Sequence, residues 1–217
     1  MDLFLFGLAV LALSGLAAWV LRRESIGLAG AVLGPLIGLA APLQVLAGGT
    51  PLAVRLPWSL PYGAFSLSID ALSAFFLLLI FGVSALCAVY AGEYLRPYRG
   101  RKPLGPVWFF YNALVACMAL VAAADNGLLF LAAWEGMALA SFFLVAFEHE
   151  RQEVREAGWS YLVASHLGTA FVLVLFLALG RQAGSLDFDR FAAADPRSAS
   201  LLFLLAVIGF GTKAGFF

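Results

Sequence analysis

An all-α membrane protein of seven transmembrane helices, with a short outer β-hairpin between the second and third, is what this sequence predicts. Three observations lead there. Hydrophobic residues make up 63% of the 217 and charged ones only 12%, too little polar surface to wrap a water-soluble domain. Apolar runs recur along the chain at the length, roughly 20 helical residues, that crosses about 30 Å of hydrocarbon. None of these runs alternates as barrel strands do, so each must satisfy its backbone internally, as a helix.

The first run, residues 3–21, is too long for the core of a signal peptide and follows no basic segment, so it reads as a transmembrane helix. The second is residues 26–47. The connection after it, 48–70, contains Pro51, Pro57 and Pro61 and ends FSLSID, which alternates at the period of a strand. A hairpin is expected there, with Asp70 capping the third helix, residues 71–91. Residues 107–123, 127–147 and 159–180 supply the next three helices, and Asp125 and Asn126 form the short turn before the fifth. A long connection with a turn at Asp195–Pro196 leads to a seventh helix. It opens near Ala199 and is still helical in pattern at Phe217, so the chain reads as a fragment or a truncated frame.

Arg22, Arg23, Arg96, Arg99, Arg101, Lys102, Arg151 and Arg155 lie in the first, third and fifth connections; Arg55, Arg181, Arg190 and Arg197 lie in the others. The excess places the first set in the cytoplasm and the N-terminus outside. The formal net charge is zero, which leaves no basic field for nucleic acid. EHERQEVREAGW, after the fifth helix, reads as a solvated loop and lacks the HExxH spacing of a zinc site. Cys87 and Cys117 fall inside apolar runs, as packing residues. No phosphate loop, nicotinamide, flavin or haem fingerprint is present, so neither a cofactor nor a catalytic centre is expected in this chain.

Three ionisable residues interrupt the apolar spans: Glu135 in AAWEGMALASFFLVAFE, His166 in YLVASHLGTAF and Lys213 in IGFGTKAGFF. A charge at a helix centre costs about 2.5–3.5 kcal/mol on insertion scales, so such groups face protein or water and mark ion or proton paths. Glu135 reads as a working acid or as a carboxyl bonded to a neighbouring helix. An ammonium in apolar surroundings releases its proton reversibly, and Gly209, Gly211 and Gly215 around Lys213 allow local unwinding into an ion site. The other reading of Lys213 is a stem snorkelling to the interface. His166, with Ser165 and Thr169 nearby, reads equally as a relay or as a histidine satisfied by a hydroxyl.

WEGMALASFFLVAFE resembles the Trp-Glu motif of the antiporter-like membrane subunits: the large pumping subunits of respiratory complex I, the hydrogenase-4 and formate hydrogenlyase subunits, and multisubunit sodium/proton antiporters. GFGTKAGFF is similar to their lysine motif, and AGWSYLVASHLGTAF is most similar to the hydrogenase-4 component B group. The resemblance implies roughly 14 helices containing two inverted repeats. Residues 1–106 would then be an N-terminal block and 107–217 the start of the first repeat. It implies a prokaryotic inner membrane, other membrane subunits as direct partners and redox subunits as indirect ones. It also implies a coupled Glu135–Lys213 pair. Some relatives carry an Asp on the sixth helix; here His166 and Thr169 occupy that region. The expectation is a proton-translocating subunit of a redox-driven complex. The alternatives are a subunit of a sodium/proton antiporter and a structural subunit without transport.

Overall fold

The computed structural model describes residues 1–56, 58, 63–193 and 195–216; Pro57, Pro61 and Phe217 lie outside the described residues. The elements are α1 (Asp2–Val20), α2 (Glu24–Gly38), α3 (Ala40–Gly48), β1 (Leu52–Leu56), β2 (Phe65–Ile69), α4 (Ala71–Tyr94), α5 (Leu104–Ala123), α6 (Gly127–Val145), α7 (Gln152–Ala183) and α8 (Ala199–Ala214), with short 3-10 turns between some of them. Seven spans are long and apolar enough to cross a membrane, α2 and α3 together forming one of them. The expected hairpin is the two-stranded sheet β1–β2, and the Asp70 carboxylate accepts from the Ser73 amide at 2.7 Å to cap α4.

Two boundaries differ from the sequence reading for stateable reasons. The second span breaks at Leu39, because Pro42 has no N–H for the Gly38 carbonyl and its ring crowds that carbonyl. The charged stretch expected as a loop is helical from Gln152 onward, two turns of a 32-residue α7. At 1.5 Å per residue α7 is about 48 Å long, so it must extend beyond about 30 Å of hydrocarbon. Its first turns are held in water by pairs such as Gln152 Nε2 to Glu156 Oε1, 2.7 Å.

The chain forms two compact units, Met1–Val54 with Ser68–Ala123 and Arg55–Leu67 with Ala124–Phe217. In the first, α1, α2, α4 and α5 approach closely through small residues. A Cβ at Gly7 would lie 2.7 Å from the Gly34 carbonyl, and one at Gly105 would lie 2.5 Å from that of Ala18. Backbones therefore touch where a larger residue would separate them. The fully buried Asn112 donates to Ser14 Oγ at 3.0 Å and to the Gly27 carbonyl at 3.2 Å, pinning α5 to α1 and α2.

The second unit is organised by an apolar cluster and a polar latch. Leu131, Val172, Leu175 and Phe176 are its buried core, with Phe130, Phe188 and Phe210 packed against them. At the latch, Asn126 caps α6 by accepting from the Leu128 and Leu129 amides. Its Nδ2 donates to Asp187 at 2.8 Å, and Arg55 reaches the same carboxylate at 3.0 Å. Asp125, beside Asn126 in the same turn, accepts from the Ser66 hydroxyl at 3.3 Å.

Candidate functional site

All three ionisable residues singled out from the sequence fall in the second unit, on α6, α7 and α8. Glu135 lies eight residues into α6, about 12 Å along the helix axis. His166 is 14 residues into α7, about 21 Å from its start by the same rise. Lys213 is in the last turn of α8. The helix of Lys213 does not unwind at its glycines. Gly209 and Gly211 are buried within α8; the Gly209 carbonyl sits 3.1 Å from where a Cβ at Gly168 would be, so these glycines serve close packing on α7. Gly215, at φ 81°, caps the helix in the left-handed conformation.

The site has two clusters. In the first, His166 Nε2 lies 3.3 Å from Glu135 Oε2, and His166 Nδ1 lies 3.0 Å from the Leu162 carbonyl. A carbonyl only accepts, so Nδ1 carries a hydrogen. Nε2 and Oε2 therefore share a single proton between them, either as imidazolium with carboxylate or as imidazole with carboxylic acid. A proton passing across this 3.3 Å contact would leave the net charge of the pair unchanged. The other carboxylate oxygen, Glu135 Oε1, is buried and has no hydrogen-bond partner among the described residues, and the same holds for the indole nitrogen of Trp134. Thr169 donates to the Ser165 carbonyl at 3.0 Å, so it does not satisfy His166.

The second cluster surrounds Lys213. Its ammonium donates to the Tyr161 hydroxyl at 3.3 Å. It also sits 5.4 Å from the centre of the Tyr161 ring and 5.6 Å from that of Trp134, within the range of a cation–π contact. Trp134 is in turn stacked on Phe130 at 5.4 Å and meets Phe210 edge-on at 5.6 Å, so the aromatic cluster fixes the seat of the ammonium. No ion pair joins Glu135 and Lys213 among the described residues. Trp134 is adjacent to Glu135 in the chain and carries the Lys213 ammonium over its ring.

Tyr161 and Trp134 were not selected from the sequence. In AGWSYLVASH the tyrosine looks like one more large residue of an apolar span, and only the packing of α8 on α7 brings Lys213 to it. No group of three or more His, Cys, Asp or Glu side chains that could hold a metal ion gathers among the described residues.

Comparison with known proteins adds three findings. Residues 124–217 match the family profile described as NADH:quinone oxidoreductase/Mrp antiporter, transmembrane, and residues 63–102 match that of the NADH-ubiquinone oxidoreductase (complex I) chain 5 N-terminus. Hydrogenase-4 component B of Escherichia coli (strain K12) is 35% identical over 98% of this chain, which spans 31% of that relative's length. Among solved structures, a chain of the archaeal membrane-bound sulfane sulfur reductase superposes with a TM-score of 0.81 at 21% identity, covering 96% of this chain and 44% of that one. A chain of the Mrp complex from Dietzia sp. DQ12-45-1b gives 0.80 at 20% identity, covering 97% and 23%.

Proposed function

We infer the function from one premise: this chain belongs to the antiporter-like family of membrane subunits shared by NADH:quinone oxidoreductases, hydrogenases and Mrp antiporters. On that premise we propose that it is part of a proton-translocating subunit of a redox-driven complex in a prokaryotic inner membrane, with its N-terminus outside and other membrane subunits as neighbours. Glu135 and His166 hold one shared proton and Lys213 a second. The carrying observation is the 3.3 Å contact between Glu135 and His166 inside an apolar span.

The energies are of the right size. Opposite charges 3.3 Å apart attract by about 1–5 kcal/mol as the effective dielectric runs from about 80 to about 20, the lower end applying because both side chains are partly exposed. Moving one charge across 100 mV requires about 2.3 kcal/mol. At that lower end, making and breaking such a pair supplies about half the work of moving one proton across 100 mV.

In vesicles reconstituted with the whole complex, Glu135→Gln and Lys213→Ala are each expected to abolish proton translocation while leaving the amount of assembled complex unchanged. Wild-type translocation by either variant would refute the assignment. The second reading, a sodium/proton antiporter subunit, is favoured by the inclusion of Mrp antiporters in the matching family. It predicts a pH gradient that forms on a sodium gradient alone, with no electron donor.

A further inference from the structure

Lys213 lacks the acid partner that a titrating amine would ordinarily use, and its only hydrogen-bonding neighbour among the described residues is the Tyr161 hydroxyl. An ammonium can only donate, so the phenol oxygen must accept, and the phenol's own hydrogen is left to donate elsewhere. The side chains next to that hydroxyl, besides Lys213, are Ser141 of α6 and Ser165 of α7. Three helices thus converge on one oxygen with a fixed direction: ammonium, then phenol, then serine.

The direction has an address. Tyr161 is nine residues from the start of α7 and Ser141 is four residues from the end of α6, about 14 Å and about 6 Å from those helix ends by the helical rise. Both ends lie at the same connection, residues 146–151, which ends in Arg151 and belongs to the set of connections with the larger share of arginines, here the Arg-rich side. The Glu135–His166 pair lies further along both helices from that end, ten residues from the end of α6 and 14 from the start of α7. Tyr161 and Ser141 therefore lie nearer that side than Glu135 and His166 do, while Ser165 is level with His166.

We propose that Tyr161 is the relay residue through which Lys213 exchanges its proton with the Arg-rich side, with the Ser141 hydroxyl completing the path and the Ser165 hydroxyl beside it. In one transfer an Nζ–H bond breaks as a new O–H bond forms on Tyr161. The phenol's original hydrogen passes to a serine oxygen, and that serine's hydrogen passes to water at the helix end. One positive charge leaves the amine, and each hydroxyl is restored with a different hydrogen. Lys213, Glu135 and His166 are the titratable groups that α6, α7 and α8 bring to this region.

The inference rests on the proton-translocating reading, and the experiment separates the two. The whole complex is reconstituted in vesicles, and proton translocation is followed for Tyr161→Phe, for Ser141→Ala/Ser165→Ala, and for all three changes together. Tyr161→Phe keeps the ring over Lys213 and removes only the oxygen. It is expected to slow translocation at least tenfold with the melting temperature of the complex unchanged. The serine pair is expected to slow it comparably, and the triple variant to be no slower than Tyr161→Phe, because links of one chain do not add. A wild-type rate for Tyr161→Phe, or a triple variant slowed by the product of the separate effects, overturns the relay. If Lys213→Ala also translocates at the wild-type rate, the reading beneath it fails instead.

Discussion

Glu135 and His166 meet at 3.3 Å from two different helices, so the sequence could nominate each without showing that they share a proton. The histidine was open between a relay and a residue satisfied by a hydroxyl. Its Nδ1 contact with the Leu162 carbonyl decides the matter of partners, since the hydroxyl of Thr169 is spent on the Ser165 carbonyl. The proton-sharing argument carries a test. His166→Ala should depress translocation in reconstituted vesicles as far as Glu135→Gln does, because both changes remove the same proton. A wild-type rate for His166→Ala would mean that the two residues act separately.

At the scale of elements, the polar latch shows how a loop is fixed by charge. Burial raises the Asp187 carboxyl, but the Asn126 amide and the Arg55 guanidinium outweigh it and hold the group below the ordinary carboxylate value of 3.8. Asp125 goes the other way: burial pushes it up, and the nearby Asp189 and Asp187 add to this, while Ser66 and Arg55 oppose it. The signs follow from linkage. The depressed Asp187 contributes stability that is complete above about pH 4 and is lost as pH falls through its lower folded value. The raised Asp125 opposes folding when ionised, so acid relieves it before Asp187 is reached. Hydrogen exchange at the Gly127 and Phe188 amides, which bond across the latch at 2.8 and 3.3 Å, should therefore accelerate only below about pH 4. Asp187→Ala should release the same amides at neutral pH. Its expected cost is about 1–2 kcal/mol, chiefly from the buried Asn126 amide, because the Arg55 side chain is 62% exposed and its pair is screened.

Across the whole molecule, large apolar side chains face outward along the spans: Leu86 is 73% exposed, Phe203 71%, Val20 69% and Leu13 67%. Residues of this kind in contact with water would each forgo about 1.5–3 kcal/mol of burial, so lipid or further protein must cover them. The chain is expected to remain in the membrane pellet after extraction with alkaline carbonate and to enter solution only in detergent. Release by carbonate would contradict the assignment of transmembrane spans.

What the sequence determined by itself was the set of spans, the hairpin, the Asp70 cap, the family and the three ionisable residues. Each of these is a local signal: a run length, a strand period, a cap residue or a charge too costly to leave in hydrocarbon without use. The break at Leu39 was also local, written in Pro42, but hydropathy does not register a missing N–H. The helical start of α7 escaped because a charged helix and a charged loop have the same composition. Only the tertiary structure decided which polar atoms meet, pairing Glu135 with His166 and seating Lys213 on Tyr161 and Trp134. Those contacts join helices separated by tens of residues, and they depend on how Gly168 and Gly209 let α7 and α8 approach, a distance that no single run of residues encodes.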